Sequence, residues 1–170
     1  MIVVLMGVCG CGKTVVGQAL AAGLGWPFFD GDDLHPAGNV AKMAAGTPLT
    51  DTDRWPWLDR LAAEMGAILA RGGDAVLACS ALKQAYRDRI ASCAHAPGDV
   101  RFVHLDGDYD TIAARLATRR HRYMPATLLA SQFATLEKPA DAIVVDARKT
   151  IAEQVALIRE KLRLEAMPFT

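Results

Sequence analysis

The sequence has almost no net charge, with 19 lysines and arginines set against 19 aspartates and glutamates in 170 residues. A balanced chain creates no overall field to hold nucleic acid or an anionic membrane, so the expected partner is a small molecule. Long apolar runs are also missing. The first, from Ile2 to Met6, stops at Gly7, too soon for a membrane span or a signal-peptide core, and a cytoplasmic protein is expected. Cysteine is scarce, at positions 9, 11, 79 and 93. A domain of this length with a full apolar complement needs no covalent staples, so free thiols are expected. Cys9 and Cys11 have the spacing of a C-x-C metal site, but no His or Cys nearby completes it. Repeats and low-complexity linkers are absent, and the length suits one domain over residues 1–170.

What is present begins with the apolar stretch itself, which runs straight into Gly7-Val8-Cys9-Gly10-Cys11-Gly12-Lys13-Thr14. This is G-x-x-x-x-G-K-[ST] after a strand and before a helical pattern, the context a phosphate-binding P-loop requires. Glycines let successive backbone N–H groups turn toward phosphate oxygens. Lys13 reaches the β and γ phosphates, and Thr14 offers its hydroxyl to Mg²⁺ at the positive end of a helix dipole. Residues 7–14 are therefore the candidate nucleotide site. No N-K-x-D follows to read guanine.

Apolar spacing predicts strands alternating with helices along the whole chain. Strands are expected over 26–30, 75–79, 100–105 and 142–146, in addition to the first. Helices are expected behind the loop to Leu24, from Pro36 to about Met43, after Pro56 to Gly72, and around Tyr86 to Ile90. Further helices carry Ile112 and Leu116, restart at Pro125 to about Leu136, and carry Ile151, Val155, Ile158 and Leu162 as one stripe. The fold class implied is α/β, a P-loop NTPase with a parallel five-stranded sheet and helices on both faces.

Chemistry-bearing side chains cluster after the strands. Asp30 ends the second strand and is the candidate for ordering Mg²⁺ and its waters. Asp32 is the candidate general base for an acceptor hydroxyl, the alternative being a cap for the helix at Pro36. Arg54, Lys83 and Arg87 make a candidate positive pocket for an acidic substrate. His35 either bonds a polyol hydroxyl or packs beside Pro36. Arg115, Arg119 and Arg122 recur at helical spacing, either as a small lid over residues 119–126 that closes on the phosphates or as an exposed basic helix end.

Beyond the P-loop, the chain carries Asp30-Gly31-Asp32 with Leu34-His35-Pro36, then Asn39, Lys42-Met43, Asp53-Arg54 and Pro56-Trp57-Leu58. Cys79-Ser80-Ala81-Leu82-Lys83, Tyr86-Arg87-Asp88, Ser131-Gln132-Phe133 and Thr135-Leu136-Glu137 follow. With these motifs the chain resembles the small P-loop gluconokinases, relatives of shikimate kinase. The resemblance implies ATP-dependent phosphorylation of D-gluconate at its 6-hydroxyl, a core sheet plus lid, and commonly a homodimer; Lys13, Asp32 and the lid residue Arg119, singled out above by residue type and position, are the candidates for transfer. Alternatives are a kinase for another small acid, such as shikimate, or a nucleotide-binding adaptor without turnover. The chain departs from the family pattern at Cys9 and Cys11, where serines are usual, which raises the question of oxidant sensitivity. It departs again at His121-Arg122, where the family reads Gly-His.

Overall fold

A computed structural model describes residues 1–118 and 127–164. Five strands, β1 (Ile2–Met6), β2 (Phe28–Asp30), β3 (Ala75–Ala78), β4 (Val100–Asp106) and β5 (Ile143–Asp146), form one parallel sheet in the order β2-β3-β1-β4-β5. The helices are α1 (Lys13–Leu24), α2 (Ala37–Ala44), α3 (Asp51–Ala70), α4 (Gln84–Ala91), α5 (Tyr109–Thr118), α6 (Thr127–Thr135) and α7 (Ile151–Leu162), with a 3₁₀ turn at Gly31–Leu34. This is the five-stranded α/β architecture expected from the sequence.

The strand alternation of β1 divides the core in two. Ile2, Val4 and Met6 face Leu58, Leu61 and Met65 of α3 and Tyr86 and Ile90 of α4. Val3 and Leu5 face the opposite layer, with Leu20 and Leu24 of α1 and Ile158 and Leu162 of α7. Every residue of β1 is fully buried, as a central parallel strand covered on both faces must be. Each such side chain contributes roughly 1.5–3 kcal/mol by leaving water.

Two element expectations are corrected. Helix α3 starts at Asp51, well before Pro56, because Thr50 and Asp53 form a capping box: Thr50 Oγ1 accepts from the Asp53 amide at 3.2 Å and the Asp53 carboxylate accepts from the Thr50 amide at 2.9 Å. Pro56 lies inside the helix, where it removes one early backbone bond. In α7, Ile158 and Leu162 point inward, but Ile151 is 43% exposed, and Gln154 is buried in its place.

Candidate active site

The loop after β1 turns on residues that only glycine serves well. Gly12, at φ +107°, caps the start of α1, and a Cβ on Gly7, at φ +138°, would sit 2.9 Å from the Leu105 carbonyl oxygen. Lys13 opens α1 and folds back, donating to the carbonyls of Gly7 and Val8, both at 3.0 Å. Its ammonium is thereby held over the loop. The Val8 and Cys11 side chains are buried in the core beneath, so these two residues serve the loop through their backbone.

Asp30 ends β2 beside this loop. One carboxylate oxygen accepts from Thr14 Oγ1 at 2.9 Å and the other from the Asp32 amide at 3.1 Å, making Asp30 the cap of the 3₁₀ turn. Hydroxyl and carboxylate oxygens this close are hard donors suited to Mg²⁺ with water completing its shell. Asp32 follows on that turn. It does not cap α2, whose N-cap is Pro36 with no side-chain bond, so the capping alternative is set aside. Its side chain is 78% exposed, yet protein encloses it on several sides. Desolvation in the cleft, aided by Asp30 and Asp33 and opposed by Lys13, pushes its carboxyl above the ordinary value. Water in the open cleft opposes that push, and excluding water would enlarge it.

Three cavities meet here. One, of about 150 Å³, is lined by Gly10, Gly12, Lys13, Thr14 and Asp30. A second, of about 110 Å³, is lined by His35, Thr47, Arg54, Trp57, Ser80 and Gln132 among others. Cys9, Lys13 and Asp32 line both, so the lysine and the carboxylate stand in the wall between a phosphate-sized site and an acceptor-sized one. A third, of about 510 Å³, runs from Gly10 and Gly12 past Val15 and Arg115 to Lys149, Thr150 and Gln154.

The expected trio of cations does not converge on one cavity. Arg54 lines the second cavity, anchored by one guanidinium nitrogen that donates to the Leu49 carbonyl and the Tyr86 hydroxyl. Lys83 does not line it; its ammonium is bound to both Asp51 carboxylate oxygens at 2.9 Å. Arg87 is buried and donates to the Ala81 and Leu82 carbonyls at 3.0 and 3.1 Å. It braces a turn in which Ala81 has φ +42°, a conformation that costs a residue with a Cβ. Arg119, with the rest of the 119–126 segment, lies outside the described residues, as do His121 and Arg122.

His35 reaches the cavity stacked on Trp57, ring centroids 4.0 Å apart, with Nε2 3.8 Å from an Asp32 oxygen. Burial, with Arg54 nearby, lowers its pKa to about 4, so the ring is neutral at physiological pH and can donate from one nitrogen and accept at the other. All four cysteines are free thiols. Burial pushes the Cys9 thiol up despite Lys13, and Cys79 up to about 12. At neutral pH these two thiols are protonated and poorly reactive, which counters the oxidant sensitivity considered for Cys9.

Several contributors carried no role in the sequence. Gln132 of α6 lines the second cavity, and its Oε1 accepts from the Cys9 amide at 2.6 Å, tying α6 to the loop. Asn39 bridges α2 to α3 by donating to the Asp53 carbonyl at 2.9 Å, and Lys42 pairs with the Asp53 carboxylate at 2.6 Å. Trp57 donates its indole N–H to the Gly31 carbonyl at 2.7 Å, fixing the turn that carries Asp32. Each lies in a motif shared with the family, but spacing alone does not separate cavity lining from core.

The family model described as "AAA domain" matches residues 2–143. The chain is 45% identical to a probable gluconokinase of Xenopus tropicalis, over 98% of this chain and 96% of that one. It is 43% identical to the thermosensitive gluconokinase of Escherichia coli strain K12, over 92% of this chain and 84% of that one. The chain belongs to the gluconokinase family. A crystal structure of a gluconokinase from Sinorhizobium meliloti 1021 superposes with a TM-score of 0.82 at 43% identity, covering 95% of this chain and 90% of that one. A sugar kinase from Janibacter sp. HTCC2649 superposes with a TM-score of 0.88 at 41% identity, covering 96% and 94%. Shikimate kinase from Aquifex aeolicus, at 17% identity and a TM-score of 0.65, shares the fold. Like the rest of its family, the chain is a kinase of the P-loop type. Among the described residues no helix is long and apolar enough to cross a membrane.

Proposed function

We propose that this protein transfers the γ-phosphoryl group of ATP to the 6-hydroxyl of D-gluconate, giving 6-phosphogluconate and ADP. The observation that carries this is the wall shared by two cavities, in which Lys13 and Asp32 face both donor and acceptor. The triphosphate lies against the loop amides and Lys13, and the base in the third cavity. Thr14 would hold Mg²⁺, with Asp30 ordering its water shell; the ion supplies positive charge against the phosphates. Asp32 accepts the proton of the 6-hydroxyl as the oxygen attacks phosphorus. The bond from phosphorus to the new ester oxygen forms while the bond to the β–γ bridging oxygen breaks, and ADP departs with that electron pair. Its raised pKa makes Asp32 a better proton acceptor than an ordinary aspartate.

Arg54 supplies the charge for the acid group, and neutral His35 hydrogen-bonds the polyol. An uncharged analogue would offer Arg54 no carboxylate in addition to its contacts with Leu49, Tyr86 and Asp51, and sites built on such bonds reject analogues by about 10⁴-fold or more. The test is kcat/KM for gluconate, glucose, sorbitol and shikimate by coupled ADP release. Gluconate is expected to lead; equal values for gluconate and sorbitol would remove the carboxylate pocket, and a preference for shikimate would reassign the substrate.

The family resemblance supports three further parts of this proposal. Residues 1–170 form one kinase domain whose 119–126 segment closes over the phosphates with Arg119. The enzyme works in the cytoplasm as a homodimer. Arg119→Ala should lower kcat more than ADP affinity, and sedimentation equilibrium should return twice the chain mass.

A further inference from the structure

The acceptor cavity contains a histidine whose proton can be placed from its neighbours. His35 is stacked on Trp57, ring centroids 4.0 Å apart and planes 18° from parallel, which fixes the plane of the imidazole. Nδ1 lies 3.4 Å from Asn39 Nδ2. That same nitrogen of Asn39 donates to the Asp53 carbonyl at 2.9 Å. A carbonyl only accepts, so the atom facing both groups is the amide NH₂ and not the amide oxygen. Opposite an NH₂ group, Nδ1 must accept. Burial keeps the ring neutral, and the single proton of a neutral ring then sits on Nε2. Turning the ring over would set a carbon against the Asn39 amide and lose this bond.

Nε2 faces Asp32. The gap between Nε2 and a carboxylate oxygen is 3.8 Å, too long for a direct hydrogen bond. A third atom placed between them spans it at ordinary distances, roughly 2.9 Å to the nitrogen and 2.7 Å to the carboxylate. Nε2 also has access to the cavity that His35 lines together with Asp32 and Lys13. It makes no hydrogen bond among the described residues, and the one side-chain nitrogen or oxygen among them that is buried without a partner is Gln154 Oε1. Asn39 has no such opening. It is 5% exposed and does not line the cavity, so any effect it has on the acceptor passes through His35.

We infer that the phosphoryl-accepting hydroxyl sits between His35 and Asp32, with Nε2–H donating to its oxygen, and that Asn39 is the positioning residue that keeps the proton on Nε2. This rests on the proposed function and locates its reacting group. The roles follow from a hydroxyl having one proton and two lone pairs. The proton goes to Asp32. One lone pair is held by Nε2–H, and the other attacks phosphorus as the bond to the β–γ bridging oxygen breaks. His35 keeps its own proton throughout. An Nε2 without a proton would instead compete with Asp32 for the hydroxyl proton and leave the oxygen unheld. As the hydroxyl loses its proton, its oxygen gains negative charge, so the bond from Nε2–H strengthens toward the transition state. Its loss therefore falls mainly on kcat.

The test is two-bond proton–nitrogen NMR of the His35 ring. In the ligand-free wild type the proton is expected on Nε2, and a proton on Nδ1 overturns the inference. With ADP present, gluconate should shift the Nε2 resonance and 6-deoxygluconate, which lacks only the reacting hydroxyl, should not; equal shifts overturn it. Asn39→Asp puts an acceptor where the donor was. At about two pH units above the ordinary histidine value, where the ring stays neutral, the proton should then move to Nδ1. In that variant kcat should fall roughly tenfold to a hundredfold, with KM for gluconate changed by less than about threefold. A merely structural Asn39 would leave the proton on Nε2 whatever the activity, and a moved proton with unchanged kcat would mean that Nε2–H is not used; either result overturns the inference. If Asn39→Asp does not fold, the two ligands on the wild type decide. A wild type that neither binds nor phosphorylates gluconate defeats the proposed function itself, and the inference falls with it.

Discussion

Asp32 and His35 are neighbours in the cavity with opposite demands on the solvent. Asp32 is open to the cleft and holds up no core, so Asp32→Asn should leave the urea midpoint unchanged while kcat falls by about 10²- to 10⁴-fold. A loss of stability with activity kept would return Asp32 to a structural role. In the wild type, the acid limb of kcat/KM should lie above the ordinary aspartate value of 3.8, in the direction of its shift. His35 acts on stability instead. Its side chain is 4% exposed and neutral in the fold down to about pH 4, whereas the unfolded ring protonates near 6.5. Between those values the unfolded state binds the extra proton, so stability falls as pH drops from about 6.5 toward 4, by at most about 3 kcal/mol. Urea titrations at pH 7 and pH 5 should show this slope in the wild type and a flatter one in His35→Gln. Parallel slopes would mean that the ring is not held neutral.

At the scale of elements, the capping box at α3 supports more than one helix. Asp53 accepts from Thr50 and from Lys42 of α2, while its carbonyl accepts from Asn39. Thr50→Ala should cost about 1 kcal/mol, within the usual 0.5–2 for a lost cap, read as a lower urea midpoint; an unchanged midpoint would show that Asp53 holds without it. The bonds to Lys42 and to Thr50 hold the Asp53 pKa to about 2, so this support persists above pH 4 and is lost as pH falls from about 4 toward 2. The box was legible in Thr50-x-x-Asp53, but Pro56 masked it, since proline marks a helix start more often than a sixth position. Strands and the phosphate loop were legible because burial on both faces and a backbone cradle leave strong local patterns. The fates of Lys83 and Arg87 were not, because a cation after a strand looks the same whether it faces a ligand, an aspartate or backbone carbonyls. Only the three-dimensional placement of Asp51 and of the Ala81 turn separates those cases.

At the scale of the whole molecule, protection should follow position in the sheet. β1 pairs with β3 on one side and β4 on the other, while β2 and β5 are edges. Amide exchange of residues 2–6 should require global unfolding, and that of residues 28–30 and 143–146 should be faster through local opening. Equal rates across the five strands would argue against this layering.

The central place of β1 also has a consequence during synthesis. Ile2–Met6 is synthesised well before its partners, which begin at Ala75 and Val100. At about 5–20 residues per second, this strand waits roughly 5–20 s for β4 to be made. For that interval the most apolar segment of the future core has no neighbour to cover it. A variant with slowed translation between residues 7 and 106 is therefore expected to aggregate more during synthesis, with an unchanged mature fold.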